Sequence, residues 1–277
     1  MQLLRRWRLT PTRAILEILM IVVALCYLIP IWMVFSNSLK DSTGAGLMGL
    51  GLPSKPVWDN YAVVFRESGI LRGLYNGLLL GLITVVSNVV VASMCSFYLA
   101  RIKRKISTFF YNYFIAGLIV PGSIIPIYLE MRILHLNNTY IGLVMLFVTA
   151  TLPFGIFLFT GFIKTIPREI DEAAIIDGSN PYQLYFRIVF PLLKPVTITV
   201  SIFVFIAVWN NVAYYLYFSK STQYPLPLSI YSFFGKYSQS WNLVFADILV
   251  GIIPCLILFM FAQKYMVSGI TAGAVKG

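Results

Sequence analysis

Charge is what this 277-residue sequence has least of. Only 11% of its residues are Asp, Glu, Lys or Arg, against about 25% in a soluble domain. Histidine occurs once, as His135, and cysteine three times, as Cys26, Cys95 and Cys255, each inside an apolar run. A zinc or iron centre built from these residue types is excluded on inventory. Without redox or ligand spacing, the cysteines are structural. No lysine stands in a G-x-x-x-x-G-K-[ST] context: Gly235-Lys236 is followed by Tyr237 and lacks the first glycine. The chain therefore carries no phosphate-binding loop. The central apolar runs hold almost no ionisable groups, which argues against an ion-driven secondary transporter. One loop histidine and no clustered carboxylates within reach of the membrane argue against a membrane enzyme.

What fills the sequence instead is hydrophobic residues, 59% of the total, gathered into long runs. Crossing about 30 Å of hydrocarbon takes about 20 apolar residues as a helix. Six runs meet that need, at about 14–35, 73–100, 106–129, 140–163, 195–218 and 243–263. The third is interrupted by Pro121 and Pro126. The first follows Arg5, Arg6, Arg8 and Arg13 as a signal peptide would, but it is too long and no small-x-small site follows it. The expectation is an all-α, polytopic membrane protein: a cytoplasmic N-terminal segment 1–13, then one transmembrane domain over 14–277.

The net charge of +11 invites a nucleic-acid reading. The basic residues instead sit in short clusters beside apolar runs, such as Arg101, Lys103, Arg104 and Lys105. That pattern orients a chain in a membrane, so no nucleic-acid partner is expected. The N-terminus, the 101–105 loop, segment 164–194 and the tail 264–277 together hold fourteen Lys/Arg, and the opposite connectors hold seven. Both termini and segment 164–194 are thus expected in the cytoplasm.

That segment is a polar island. Glu169, Asp171, Glu172 and Asp177 place four of the ten acids within nine positions. Pro167 suits a first helical turn, and the acids that follow lie near the positive end of the helix dipole. Ala173 and Ala174 permit close approach to another surface. Gly178 fits a left-handed helix end, and Ser179 and Asn180 suit the cap of a second helix beginning at Pro181. Pro191 and Pro195 break or kink that helix. Two readings follow: a capped connector between spans, or a hairpin displayed for docking.

The spacing within the segment carries a resemblance. Glu172-Ala173-Ala174, then Gly178 after three intervening residues, Ile188 after nine more, and Pro191 resemble the EAA motif of ABC importer membrane subunits, with Phe190 where leucine is usual. The likeness extends over roughly 70–277. Ile125-Pro126-Ile127-Tyr128, Asn138-Thr139-Tyr140-Ile141-Gly142-Leu143, Leu152-Pro153-Phe154, Gly161-Phe162, Trp209-Asn210 and the ending 269–277 are similar to maltose-type carbohydrate permeases, the smaller six-span subunit above all.

The resemblance implies the type I ABC importer permease fold and a bacterial inner (plasma) membrane location. It implies a coupling loop over 165–191, in which Glu172, Ala173, Ala174, Asp177, Gly178, Ile188 and Pro191 meet an ATPase. Ala272, Gly273 and Lys276 in the tail would reach the same ATPase. The implied partners are a second homologous permease, two cytoplasmic ATPase subunits, an extracellular solute-binding protein, the lipid bilayer and a carbohydrate substrate. No cofactor is expected on this chain, with ATP and Mg on the ATPase. A non-sugar solute is the alternative cargo. Amides and aromatics suit sugar hydroxyls and ring faces, so Asn88, Tyr128, Trp209, Asn210, Asn211 and Tyr214 are candidates for a substrate path. Interhelical hydrogen bonding is the other reading of those residues, since unpaired amides are costly in hydrocarbon.

Overall fold

A computed structural model describes the backbone of residues 11–67, 69–102, 104–120, 122–233 and 240–274, and their side chains except at 11–13, 232 and 262–274. The described residues form helices and no strands. In hydrocarbon every backbone polar group must be satisfied within its own segment, and a helix does this. The chain divides into two compact units, Met1–Gly69 with Ile230–Gly251, and Ile70–Ser229 with Ile252–Gly277.

In the first unit, α1 (Pro11–Ser38) is apolar and exposed along most of its length, then buries Ser36, Asn37 and Ser38. Segment 39–58, with the short α2 (Ser42–Gly46), folds back on that end, and α3 (Asp59–Glu67) follows. Amides hold the fold-back together. Asn37 donates to Gly49 O at 2.9 Å, Asn60 donates to the carbonyls of Ser38 and Lys40 at 2.8 Å each, and Asn242 donates to Asn60 Oδ1 at 2.8 Å. Asp41 caps α2, and the Gly44 N–H and Thr43 hydroxyl on its carboxylate hold its pKa below the ordinary value.

The second unit is built on α4 (Ile70–Arg101), which packs along α7 (Tyr140–Ile163) and against α11 (Lys194–Asn210). One face of α4 is small at every fourth position. A Cβ built on Gly73 would stand 3.0 Å from the Leu226 backbone, one on Gly77 2.6 Å from the Trp209 ring, and one on Gly81 2.7 Å from the Phe205 ring. The stripe continues through buried Asn88, Ala92 and Ser96. Gly155 of α7 answers it, leaving no room for a side chain beside Asn88 and Ala92. Lipid is as apolar as leucine, so close packing of small faces and interhelical hydrogen bonds draw such helices together. Asn88 donates to Thr151 Oγ1 at 2.9 Å, and Ser96 to Ile156 O at 3.2 Å.

Among the described residues, four helices are long and apolar enough to cross a membrane alone: Ala14–Ser38, Ile70–Arg101, Tyr140–Ile163 and Trp241–Phe261. Two bent pairs bring the number to six if each pair is counted as one span. The third run, expected as one span over 106–129, is α5 (Lys105–Ile119) and α6 (Ile124–Ile133), turned by 118°. Val120, which precedes a proline, is extended at φ −75°, ψ 119°, because the following ring disfavours the helical region. The fifth run, expected over 195–218, is α11 broken at Asn211 before α12 (Val212–Phe218). Ahead of α11, α9 (Pro181–Gln183), a π-helical stretch and α10 (Phe190–Leu192) run together as a helix bent 76° from it. α13 (Trp241–Ala274) continues well past the expected end of the sixth span at 263. The N-terminal segment to residue 10 lies outside the described residues.

The stripe on α4 yields a test. Alanine is the better helix former by roughly 1 kcal/mol. Gly161→Ala on α7, where nothing lies within 4 Å of the added Cβ, should therefore raise the melting temperature of the purified protein. Gly77→Ala should lower it, because displacing Trp209 costs about 1–3 kcal/mol.

Candidate functional site

The polar island folds as a hairpin of two helices. α8 (Glu169–Ile176) carries Glu169, Asp171 and Glu172 in its first turn, while Pro167, expected in that turn, precedes the helix, whose N-cap is Arg168. It ends at Gly178, whose φ of +80° is the left-handed conformation glycine adopts without strain. There the N–H of Gly178 bonds Ile175 O and that of Ser179 bonds Ala174 O, at 3.0 Å each, closing a Schellman turn. Asn180 opens the second helix with a full capping box. Its side chain accepts from the Gln183 N–H at 2.9 Å, and the Gln183 side chain accepts from the Asn180 N–H at 3.0 Å, with Pro181 in the first turn. Leu184–Val189 then widens into a π-helix. Pro191 lacks an N–H and its ring crowds the carbonyl four residues back, and a wider turn accommodates it.

Two contacts fix the hairpin to α4. The Arg101 guanidinium grips the Asp171 carboxylate through Nε at 2.6 Å and Nη2 at 3.3 Å, and Nη1 donates to Ile166 O at 3.1 Å. Both side chains of the pair are nearly covered, at 11% and 13% exposure. The Nε approach is an ion-pair contact, and the hydrogen bond to the carboxylate runs through Nη2. Arg168 returns the contact, donating to Arg101 O at 3.2 Å. On the second helix, the Tyr185 and Ser93 hydroxyls are 2.6 Å apart, and the Tyr185 ring packs 5.5 Å from that of Phe97. Leu184, Tyr185 and Val189 are buried.

The hairpin's outer face mixes acids and apolar groups. Glu169, Glu172, Ala173, Asp177 and Gly178 are exposed. So are Ile175 at 60%, Ile176 at 85%, Tyr182 at 75% and Phe186 at 51%. Ala173 and Ala174, expected to serve a common close approach, face opposite ways. Ala173 is exposed and Ala174 is buried against its own chain, because adjacent positions on a helix differ by about 100°. Ile188 packs inward beside the core, and Pro191 is exposed. Ser93, Tyr185 and the exposed Ile175–Ile176 pair were not singled out from the sequence, and Arg101 was read there only as part of a basic cluster that orients the chain. The isoleucines carried no signal that separates display from burial, since adjacent apolar residues can share the inner face of a helix. Nor did the sequence mark the pairings of Ser93 and Arg101, because their partners lie 92 and 70 residues away.

The candidate substrate-path residues separate. Asn88 is fully buried against α7, and Trp209 is buried and stacked on Phe205 at 5.5 Å. Asn211 caps α12 by accepting from the Tyr214 N–H at 3.0 Å. Tyr214 and Tyr128 come together about Phe218, their rings 5.8 and 6.2 Å from it, while Asn210 is exposed. Asn138-Thr139-Tyr140-Ile141-Gly142 has a local cause. Thr139 caps α7 by accepting from the Gly142 N–H at 3.0 Å, and Gly142 leaves room for the Leu136 carbonyl. In the tail, Ala272 and Gly273 belong to α13, where side chains are not described, and Lys276 lies outside the described residues.

Known proteins share this architecture. The chain is 32% identical over 95% of its length to the probable starch degradation products transport system permease protein AmyC of Thermoanaerobacterium thermosulfurigenes, covering 96% of that protein. It is 29% identical to the melibiose/raffinose/stachyose import permease protein MelC of Bacillus subtilis, over 97% of this chain and 98% of that one. Its fold matches a chain in the crystal structure of a bacterial ABC transporter involved in the import of the acidic polysaccharide alginate. That match has a TM-score of 0.80 and 23% identity, covering 93% of this chain and 98% of that one. Residues 89–272, which contain the whole hairpin, match the family described as binding-protein-dependent transport system inner membrane component. The chain belongs to that family, the membrane-embedded permease subunits of ABC importers.

Proposed function

We infer that this chain is one of two permease subunits of an ATP-driven importer, and that the pair forms the path for a sugar or oligosaccharide delivered by an extracellular binding protein. The relatives named for starch degradation products and for melibiose, raffinose and stachyose support the cargo class. The observation that carries the coupling role is the hairpin's two-sidedness. It is clamped to α4 through Arg101–Asp171 and Ser93–Tyr185 while its other face, with Glu172, Ala173 and Ile176, is open. A surface of that kind transmits force rather than absorbing it. An ATPase that seats the outer face pulls on α8, and the clamps hand the displacement to α4 as a rigid-body motion.

In this reading Glu172 and Asp177 meet cationic groups on one of two cytoplasmic ATPases, which hold the ATP and Mg. Ile175, Ile176 and Tyr182 supply apolar contact, and the 269–277 tail is a second contact. Both termini and the hairpin face the cytoplasm, as the basic residues indicate. ATP binding changes which conformation the ATPases favour, and the permeases follow by differential affinity.

Two variants test the reading. Glu172→Lys should leave the protein in the membrane yet uncouple uptake from ATP hydrolysis, since reversing a docked charge costs roughly 2–5 kcal/mol. Full transport by that variant in proteoliposomes would count against docking at this face. Arg101→Ala should reduce uptake without loss of insertion, because it strands Asp171. The double variant Arg101→Ala/Asp171→Ala should recover part of the loss, with a coupling energy of about 0.5–3 kcal/mol between the two sites. Equal losses in the single and double variants would remove the clamp from the mechanism.

A further inference from the structure

Beside the hairpin, where α4 and α7 end and α5 begins, lies a cleft of about 870 Å³. Arg101, Arg104, Lys105, Lys164 and Arg168 line it. Against five cations stand two carboxylates, Glu169 on the rim and Asp171 bound to Arg101. Arg104, Lys105, Lys164 and Arg168 have no carboxylate partner among the described residues. Orientation in the membrane needs basic residues in the loops, but it does not need them gathered round one concavity.

Several of these groups are held in place. Arg168 is tied to the Arg101 carbonyl at 3.2 Å, and the Lys164 ammonium sits 4.9 Å from the centre of the Tyr111 ring. The amino end of α5 opens at the cleft through Arg104, Lys105, Ser107 and Thr108. That end has no acidic residue in its first turn and no side-chain cap. Its positive dipole end therefore adds to the lysine and arginine charges where a helix ordinarily places an acid. From the cleft, α5 runs into its apolar stretch with Ile106, Phe109, Phe110 and Tyr113 exposed along it.

The geometry points to a binding site for the phosphate headgroup of an anionic phospholipid, with the headgroup in this cleft and the acyl chains along the exposed face of α5. A free anion would use the charges but gain nothing from the adjoining apolar face. A zwitterionic lipid would use the face but gain little from the charges. Cationic pockets at the cytoplasmic ends of spans bind anionic headgroups by this division of labour.

The assembled importer, freed of lipid in detergent, is titrated with phosphatidylglycerol or with phosphatidylcholine of the same chains, and bound lipid is counted by native mass spectrometry. Arg104→Gln/Lys164→Gln neutralises two exposed cleft residues and leaves the Arg101–Asp171 clamp intact; Lys220→Gln is the control. Phosphatidylglycerol should be retained in preference to phosphatidylcholine. The double variant should weaken that retention about thirtyfold at unchanged melting temperature, and the control should not. Equal retention of the two lipids, or undiminished phosphatidylglycerol binding by the folded double variant, would overturn the site. Displacement by excess inorganic phosphate would overturn the lipid assignment in favour of a free anion. Should the variant fail to assemble, a photoreactive phosphatidylglycerol on the unaltered complex decides: labelling within residues 104–113 supports the site, and labelling only elsewhere refutes it.

Discussion

Close approach along one face of α4 is the constraint on which the second unit depends. Gly73, Gly77, Gly81, Asn88, Ala92 and Ser96 bring the Phe205 and Trp209 rings and the Gly155 backbone to distances that larger side chains would forbid. Water is absent from the hydrocarbon, so burial of apolar surface does not by itself select one helix partner over another. Shape and a few buried amide and hydroxyl bonds do. Asn88 and Trp209 are both buried in this packing, Asn88 donating to Thr151 and Trp209 stacked on Phe205.

The same helix reaches the hairpin. Its last residue, Arg101, clasps Asp171, and Ser93 two turns earlier meets Tyr185. A hairpin attached at both of its helices cannot swing independently of the span it touches. The Schellman turn at Gly178 and the capping box at Asn180 stiffen the tip between those attachments. The outer face is left with charged and apolar groups that the chain itself does not use. Around Arg101 the structure also concentrates positive charge beyond what the clamp consumes, and the unspent part forms the cleft.

Much of the hairpin was legible locally. Pro181, Asn180, Gly178 and the acidic first turn are signals whose physics acts within four residues, and the EAA spacing fixed the resemblance. The same local rules were incomplete at the ends of runs. The 118° turn after Ile119 and the break at Asn211 fall inside stretches apolar enough to read as single spans. Hydropathy measures partition into lipid and is blind to direction. The π-helical turn ahead of Pro191 is a similar case: the proline announces a disturbance, and the surrounding contacts choose its form.

By itself the sequence determined the membrane class, the number and place of the apolar runs, the caps of the hairpin and the family. Each rests on composition or on spacing within a few turns. Only the tertiary structure decided that Ala173 faces out while Ala174 faces in, that Asp171 is bound to Arg101 rather than displayed beside Glu172, and that five cations from two loops surround one cleft. Those are contacts between residues some 60 to 90 positions apart. Their energies depend on which faces the helices turn to one another, and that choice is made by packing, which no local pattern records.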